Sequence, residues 1–200
     1  MRLSNLLSYK ILESFAVNLS GIPTGHVEWK QPPMDARPLL ARIARMLEEQ
    51  GLEAVLIGNA AAALQGAPVT TVDFDFMFRK TPANLRKLKA LARALDAVIL
   101  RPYYPASDLF RIVRDDDGLQ LDFMTTVHGV RSLASLRSRA RKMALGDARL
   151  LVATLTDIIK SKRAAGRPRD LAILPVLDKT LHEEEAGNPK GETRGSQERE

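Results

Sequence analysis

Hydrophobic residues in the first half of the chain recur at spacings that predict a helix, a strand and a second helix. One apolar stripe has the period of a helix face and consists of Leu39, Leu40, Ile43, Met46 and Leu47. Gly51 follows where a C-terminal cap belongs. Residues 54–57 are all apolar and short enough for a buried strand that stops at Gly58. The alanine-rich run 59–65 then predicts a short helix, which Gly66 closes.

The middle of the chain predicts a helix, a strand and a hairpin. Thr81-Pro82 is an N-cap and first-turn pair, and a leucine stripe at helical spacing follows it. Residues 97–100 form the next apolar run. Two further runs, 109–113 and 119–124, flank an acidic turn that ends at Gly118, which predicts a hairpin.

The C-terminal part predicts helices around a second hairpin. Residues 132–140 have helical character, and 142–152 predict a hairpin that turns at Gly146-Asp147. Thr154 starts a capping box for a helix that ends near Gly166. Pro168 then opens a last helix. Together these elements predict a mixed α/β domain of the α+β type, with a β-sheet flanked by helices and a helical C-terminal segment.

Glycine, proline and charge distribution predict the limits of this domain. Residues 1–34 are broken by glycines and prolines, so we expect an irregular N-terminal arm. Residues 35–181 form the predicted domain, and the polar stretch 182–200 is expected to be disordered. No run is apolar enough for a membrane span or a signal peptide, so the sequence favours a cytoplasmic protein that does not bind membranes.

The amino-acid composition excludes several kinds of catalytic and metal-binding site. The chain has no cysteine, which excludes disulfides and thiolate chemistry, and its three histidines lack metal-ligand spacing. The net charge is +6, with basic clusters at 131–142 and 160–169. Such clusters fit a polyanion partner, although a solvated helix face is the alternative. Because aromatic residues make up only 5% of the chain, a nucleic acid would bind mainly through its phosphates.

Aspartates in two apolar runs are the candidate chemical centre. Asp73 and Asp75 alternate with apolar residues, so in a strand they point to the same face. Asp122 stands in a similar run and would join them from a neighbouring strand. Like charges placed together are costly unless a cation neutralises them. This pattern predicts a site for Mg²⁺, whose usual partner is phosphoryl chemistry.

The segment from Leu56 to Gly66 and the Thr-x-Asp-x-Asp run 71–75 resemble the signature of the nucleotidyltransferase superfamily. The similarity is strongest to the minimal nucleotidyltransferases and the AbiEii-type toxins, in which a Gly-Gly or Gly-Ser turn precedes that run. Residues 159–171 are similar to the family's C-terminal Lys-x-x-Ala and Arg-x-x-Asp motif. With Asp122, these motifs extend over most of residues 38–180. The resemblance implies a nucleotidyltransferase-like fold.

The resemblance also implies a role for each matching residue. Asp73, Asp75 and Asp122 would bind Mg²⁺, with Asp122 alternatively acting as a base. Gly58, Asn59 and Thr71 would bind the nucleotide, and the start of a helix suits phosphate binding. Lys162 would pair with the triphosphate, and Asp170 would place it or cap the last helix; the alternative for both is a surface ion pair. Lys160 lies on another side of the helix.

Two departures from the family pattern affect this hypothesis. Asn59 replaces the second Gly or Ser of the turn, and Ile173 stands where many relatives have an acidic residue. Because the three aspartates are present, we favour an enzyme. It would transfer a nucleoside monophosphate from a nucleoside triphosphate to an acceptor hydroxyl of RNA, such as tRNA, or of a protein, with a small molecule as a further alternative.

The resemblance to toxins adds a cognate antitoxin as a partner. The alternative function is a non-catalytic nucleotidyltransferase-like module that binds a nucleotide or a partner.

Overall fold

The computed structural model describes residues 37–71 and 73–187. Within these ranges there are six helices: α1 (Arg37–Glu49), α2 (Gly58–Leu64), α3 (Pro82–Ala94), α4 (Leu133–Arg139), α5 (Leu155–Ala165) and α6 (Pro168–Gly187). There are seven strands: β1 (Ala54–Ile57), β2 (Phe74–Phe78), β3 (Val98–Leu100), β4 (Phe110–Arg114), β5 (Leu119–Met124), β6 (Arg141–Leu145) and β7 (Ala148–Val152). The predicted arm 1–34 lies outside the described residues.

The strands form one mixed sheet in the order β3-β4-β5-β2-β1-β7-β6. The pairs β1–β7 and β2–β5 are parallel, and the other neighbouring pairs are antiparallel. The two predicted hairpins are therefore confirmed as β4–β5 and β6–β7. The sheet with its helices and helical C-terminus confirms the predicted α+β fold.

Hydroxyl caps determine where several helices begin. Thr81 Oγ1 accepts a hydrogen bond of 3.1 Å from the backbone N–H three residues later, and Ser132 and Thr154 cap α4 and α5 in the same way. Each such cap contributes about 1 kcal/mol to helix stability. Gly166 ends α5 in the left-handed conformation, with φ of 64°. The sequence signals for these helix ends are thus confirmed.

Aromatic rings from β2, β4 and β5 fill one face of the sheet. The rings of Phe76 and Phe123 stack with centroids 4.9 Å apart. Phe78 meets Phe110 and Phe123 edge-on at 5.8 Å. Because side chains alternate along a strand, this packing directs the intervening residues of β2 and β5 to the opposite face.

The last helix is longer than the sequence predicted. Helix α6 continues through residues 182–187, which the sequence assigned to a disordered tail. Glu184 pairs with Arg141 of β6, and Asp178 accepts two hydrogen bonds from Arg163 of α5. These side-chain contacts stabilise a polar helix end that has little apolar surface to bury. In the described ranges, none of the helices has the length and hydrophobicity needed to cross a membrane.

Candidate metal and nucleotide site

Carboxylates from two neighbouring strands meet on the sheet face opposite the aromatic core. Asp73 lies just before β2, Asp75 is its second residue, and Asp122 of β5 is directly opposite Asp75 in the parallel pair. One carboxylate oxygen from each of the three lies within 4.8 Å of the others. The predicted convergence of these side chains is therefore confirmed.

The electrostatics of this cluster make one carboxyl group unusual. Burial, together with the charges of Asp73 and Asp122, raises the pKa of Asp75 from 3.8 to about 7. The positive charges of Lys162 and Arg169 act in the opposite direction but do not cancel the effect. Asp122 itself is only 5% exposed. The charged form of the Asp75 carboxyl group is therefore disfavoured in this cluster.

This arrangement fits a hard divalent cation. The three side chains offer only carboxylate oxygens, which are the ligands that Mg²⁺ prefers. A bound cation would offset the repulsion among the three carboxylates, which contributes to the raised pKa of Asp75. We therefore regard Asp73, Asp75 and Asp122 as the residues that could hold Mg²⁺.

Gly58 makes room for one of these carboxylates. It has φ of +69°, and a Cβ atom added there would lie 2.5 Å from Oδ2 of Asp75. Any larger residue would displace the carboxylate in addition to straining the backbone. The glycine that sequence analysis assigned to a phosphate-binding turn therefore also permits the close approach of β2 to the start of α2.

Replacing Gly58 by alanine is expected to lower the free energy of unfolding by about 2–3 kcal/mol, because left-handed strain adds to the clash with Asp75. Gly146→Ala is the matched control, since Gly146 has a similar φ of +65° with nothing within 4 Å of an added Cβ. Urea denaturation of both variants separates the two costs. Equal losses in both would contradict a role for the close approach.

Thr71 and Asn59 support the loop that leads into β2. The Thr71 hydroxyl lies 2.8 Å from the carbonyl oxygen and 3.0 Å from Oδ1 of Asp73, so it helps to orient that carboxylate. Asn59 Nδ2 donates a 3.3 Å hydrogen bond to the carbonyl of Thr70, while its Oδ1 is buried and has no hydrogen-bond partner. Asn59 therefore ties the start of α2 to this loop.

Arg111 is the main partner of Asp122, and the sequence pattern did not predict this role. Arg111 lies opposite Asp122 in the β4–β5 hairpin and donates from Nε at 2.7 Å and from Nη2 at 2.6 Å. Gln120 Nε2 lies 3.4 Å from oxygens of both Asp73 and Asp122. The sequence predicts the hairpin that contains both residues, but only the structure gives the register that places Arg111 opposite Asp122.

Lys162 and Asp170 form a buried ion pair, so the surface-pair alternative is wrong. Their side chains are 10% and 12% exposed, and Lys162 Nζ lies 2.9 Å from Asp170 Oδ1. Lys160 is exposed, as its different position around the helix predicted. Ile173, at the position where many relatives have an acid, is a partly buried residue packed against the core.

Several arginines of the two basic clusters have acidic partners in this chain. Arg139 donates to both carboxylate oxygens of Asp157, and Arg163 does the same with Asp178. Arg137 pairs with Glu53. These contacts join different parts of the fold, so this part of the basic charge has partners within the chain and needs no external polyanion.

The similarity of this chain to known proteins is seen in solved structures. No protein-family model and no curated protein matches the chain. The antibiotic-resistance factor ANT(2'')-Ia, in complex with adenylyl-2''-tobramycin, is similar with a TM-score of 0.52 and 15% identity over 76% of this chain and 92% of that one. The lincomycin-bound lincosamide antibiotic adenylyltransferase LnuA is similar with a TM-score of 0.52 and 11% identity, over 70% of this chain and 95% of that one. At these identities, the comparisons establish that the chain has a nucleotidyltransferase-like fold.

Proposed function

We propose that the protein is a nucleotidyltransferase, which moves a nucleoside monophosphate from a nucleoside triphosphate to an acceptor hydroxyl. The observation that carries this proposal is the convergence of Asp73, Asp75 and Asp122 within 4.8 Å on the sheet face opposite the aromatic core. The nucleotidyltransferase-like fold supports the same conclusion.

The three aspartates would hold Mg²⁺. A divalent cation bound there would neutralise the triphosphate and polarise the phosphate that is transferred. Thr71 keeps Asp73 in place, and Gly58 leaves space for Asp75, so both residues prepare the carboxylates for the cation.

Nucleotide binding is assigned to groups around this cluster. Gly58 and Asn59 are the first residues of α2, and their backbone N–H groups would bind phosphate at the positive end of the helix dipole. Lys162 and Arg169 contribute positive charge that already acts on Asp75. Asp170 holds Lys162 through the 2.9 Å ion pair, so it has a positioning role.

The transfer itself is an in-line displacement. The acceptor hydroxyl oxygen forms a bond to the α-phosphorus while the bond to the bridging oxygen breaks, and pyrophosphate leaves. The hydroxyl proton goes to a carboxylate, for which we assign Asp122 in the alternative in which Asp73 and Asp75 alone hold the cation. The two hydrogen bonds from Arg111 hold that carboxylate in one orientation.

The acceptor classes that we propose are RNA, such as a tRNA end, and protein. The structure of ANT(2'')-Ia with adenylyl-2''-tobramycin supports a small molecule as a third class. A cognate antitoxin belongs to the same proposal, in which the enzyme acts as a toxin. The paired arginines described above weaken the case for a large polyanion, so protein and small-molecule acceptors belong in the first assay.

Incubation with each α-labelled nucleoside triphosphate, Mg²⁺ and a cell extract tests the proposal. We expect label in RNA, protein or small molecules with the parent, and a loss of at least about a thousandfold with Asp73→Ala plus Asp75→Ala. Asp115→Ala plus Asp116→Ala, in the exposed β4–β5 turn, is a matched control that removes the same charge. Absence of label with every nucleotide, in a folded sample, would overturn the proposal.

A second candidate function is a binding module without catalysis, and the Arg111–Asp122 pair favours it. Both oxygens of Asp122 already accept hydrogen bonds from Arg111, which competes with cation binding. In this case the parent would bind labelled nucleoside triphosphate in equilibrium dialysis but transfer nothing to any acceptor. Label in an acceptor would rule out this candidate.

A further inference from the structure

Strand β3 forms an exposed edge of the sheet. In residues 37–71 and 73–187, β4 is its only strand neighbour. Val98 and Leu100 of β3 are 60% and 48% exposed, although both are aliphatic. Natural edge strands are usually protected by being very short, or by lysines, prolines within the strand or bulges, because a free edge pairs with other chains. Strand β3 is short, with three residues, but it contains neither lysine nor proline. Here Pro102 follows the strand but does not interrupt it.

A cavity lies beside this edge on the other face of the sheet. It has a volume of about 500 Å³ between α3 and the strands β3 and β4. Its apolar lining consists of Leu85, Leu88, Ala92, Ala97, Ile99 and Phe110. Because residues alternate along β3, Ile99 contributes to the cavity while Val98 and Leu100 remain on the opposite face. The free backbone edge of β3 and this apolar cavity, which we call the groove, therefore lie side by side.

The charges at this groove are positive. Lys89, Arg93 and Arg101 also line it. Arg101 is paired with Asp108 at 3.3 Å and stacks on Tyr104, with 4.0 Å between its guanidinium carbon and the ring centroid. Lys89 and Arg93 have no acidic partner in the part of the chain that the structure describes. The uncompensated charge of the groove is thus +2, contributed by α3.

We propose that β3 and the adjoining groove bind an extended acidic segment of a partner protein by strand addition. The segment adds a strand to the edge of β3 and places apolar side chains in the cavity and carboxylates near Lys89 and Arg93. Main-chain hydrogen bonds provide the affinity, and the cationic wall selects acidic sequences. This site lies at the sheet edge, and strand β4 separates it from Asp122 of β5.

A second copy of this chain fits the edge less well. Pairing two β3 strands around a two-fold axis would repeat the cations of both α3 helices at one interface. Like charges at an interface oppose association. An acidic strand, in contrast, gains favourable contacts with the same groups. The charge of the groove therefore selects between these occupants.

Fluorescence anisotropy with labelled nine-residue peptides tests this proposal. The probe alternates isoleucine with glutamate, and the control alternates isoleucine with lysine. We expect the acidic peptide to bind the full-length protein at least tenfold more tightly, and to weaken as salt increases. Lys89→Glu plus Arg93→Glu, both on the exposed surface of α3, should reverse the preference. Thermal unfolding verifies that this variant is folded.

An acidic peptide with N-methyl groups on alternate residues separates strand addition from charge attraction. It keeps the side chains but loses the N–H donors of one edge, so we expect it to bind at least tenfold more weakly. Equal binding of both acidic peptides, equal binding of acidic and basic peptides, or no binding would overturn the proposal. So would concentration-dependent dimers in sedimentation that Val98→Lys plus Leu100→Lys abolishes.

Discussion

In the Asp75→Asn variant, the free energy of unfolding at pH 8 is expected to rise by about 2–4 kcal/mol while nucleotide transfer falls by about a thousandfold. Burial of the Asp75 carboxyl group and, after it, the charges of Asp73 and Asp122 raise its pKa to about 7. Asparagine has nearly the same shape and no charge. The substitution thus removes a buried negative charge that destabilises the folded state. It also removes a carboxylate that the proposed reaction needs to bind Mg²⁺.

The sign of the pH dependence follows from the raised pKa of Asp75. Between pH 4 and 7 the folded protein keeps a proton on this carboxyl group that the unfolded chain, with a pKa near 3.8, has lost. Unfolding therefore releases a proton, and stability falls as pH rises through this window. Above pH 7 the loss is complete. The variant lacks this dependence, so its advantage over the parent should be largest at pH 8 and small near pH 4.

Guanidinium denaturation of parent and variant at pH 4.5 and pH 8, in the presence of a chelator, measures this difference. Asp116→Asn is the control, because Asp116 is exposed in the β4–β5 turn. Adding Mg²⁺ at pH 8 should stabilise the parent but not the variant. If the variant is no more stable than the parent at pH 8, the charge of Asp75 does not destabilise the folded state.

Local sequence signals predicted the elements of this fold well. Apolar periodicity and caps such as Thr81 and Thr154 depend on residues within one turn of each other, and the structure confirms the helices that they begin. The convergence of Asp75 and Asp122 was also predictable, because strand alternation and one neighbouring strand were enough. These features are determined by short stretches of chain.

Features that depend on tertiary pairing were not predictable in the same way. The Arg111–Asp122 pair requires the register of the hairpin, which the apolar pattern leaves open. Arg139 finds Asp157 only when α4 and α5 pack together, so its charge suggested a polyanion instead. The helical end of α6 likewise depends on the contact between Arg141 and Glu184. In each case a charged side chain is explained by a partner that the linear sequence does not identify.

Replacing Lys162 by methionine is expected to lower the free energy of unfolding by about 3–5 kcal/mol. The substitution leaves Asp170, which is only 12% exposed at its side chain, buried without its 2.9 Å partner. Lys160→Met is the matched control on the same helix, because Lys160 is exposed and its loss should cost less than about 0.5 kcal/mol. Urea denaturation of both variants gives the comparison.

The double variant Lys162→Met plus Asp170→Leu separates the structural from the functional role of this pair. Replacing both charges by apolar side chains removes the unpaired buried carboxylate, so stability should return to within about 1 kcal/mol of the parent. If Lys162 also serves the triphosphate, the refolded double variant will keep a raised KM for the nucleotide. Full recovery of both stability and KM would assign the pair to the fold alone, and failure to recover stability would contradict the buried ion pair as the source of the loss.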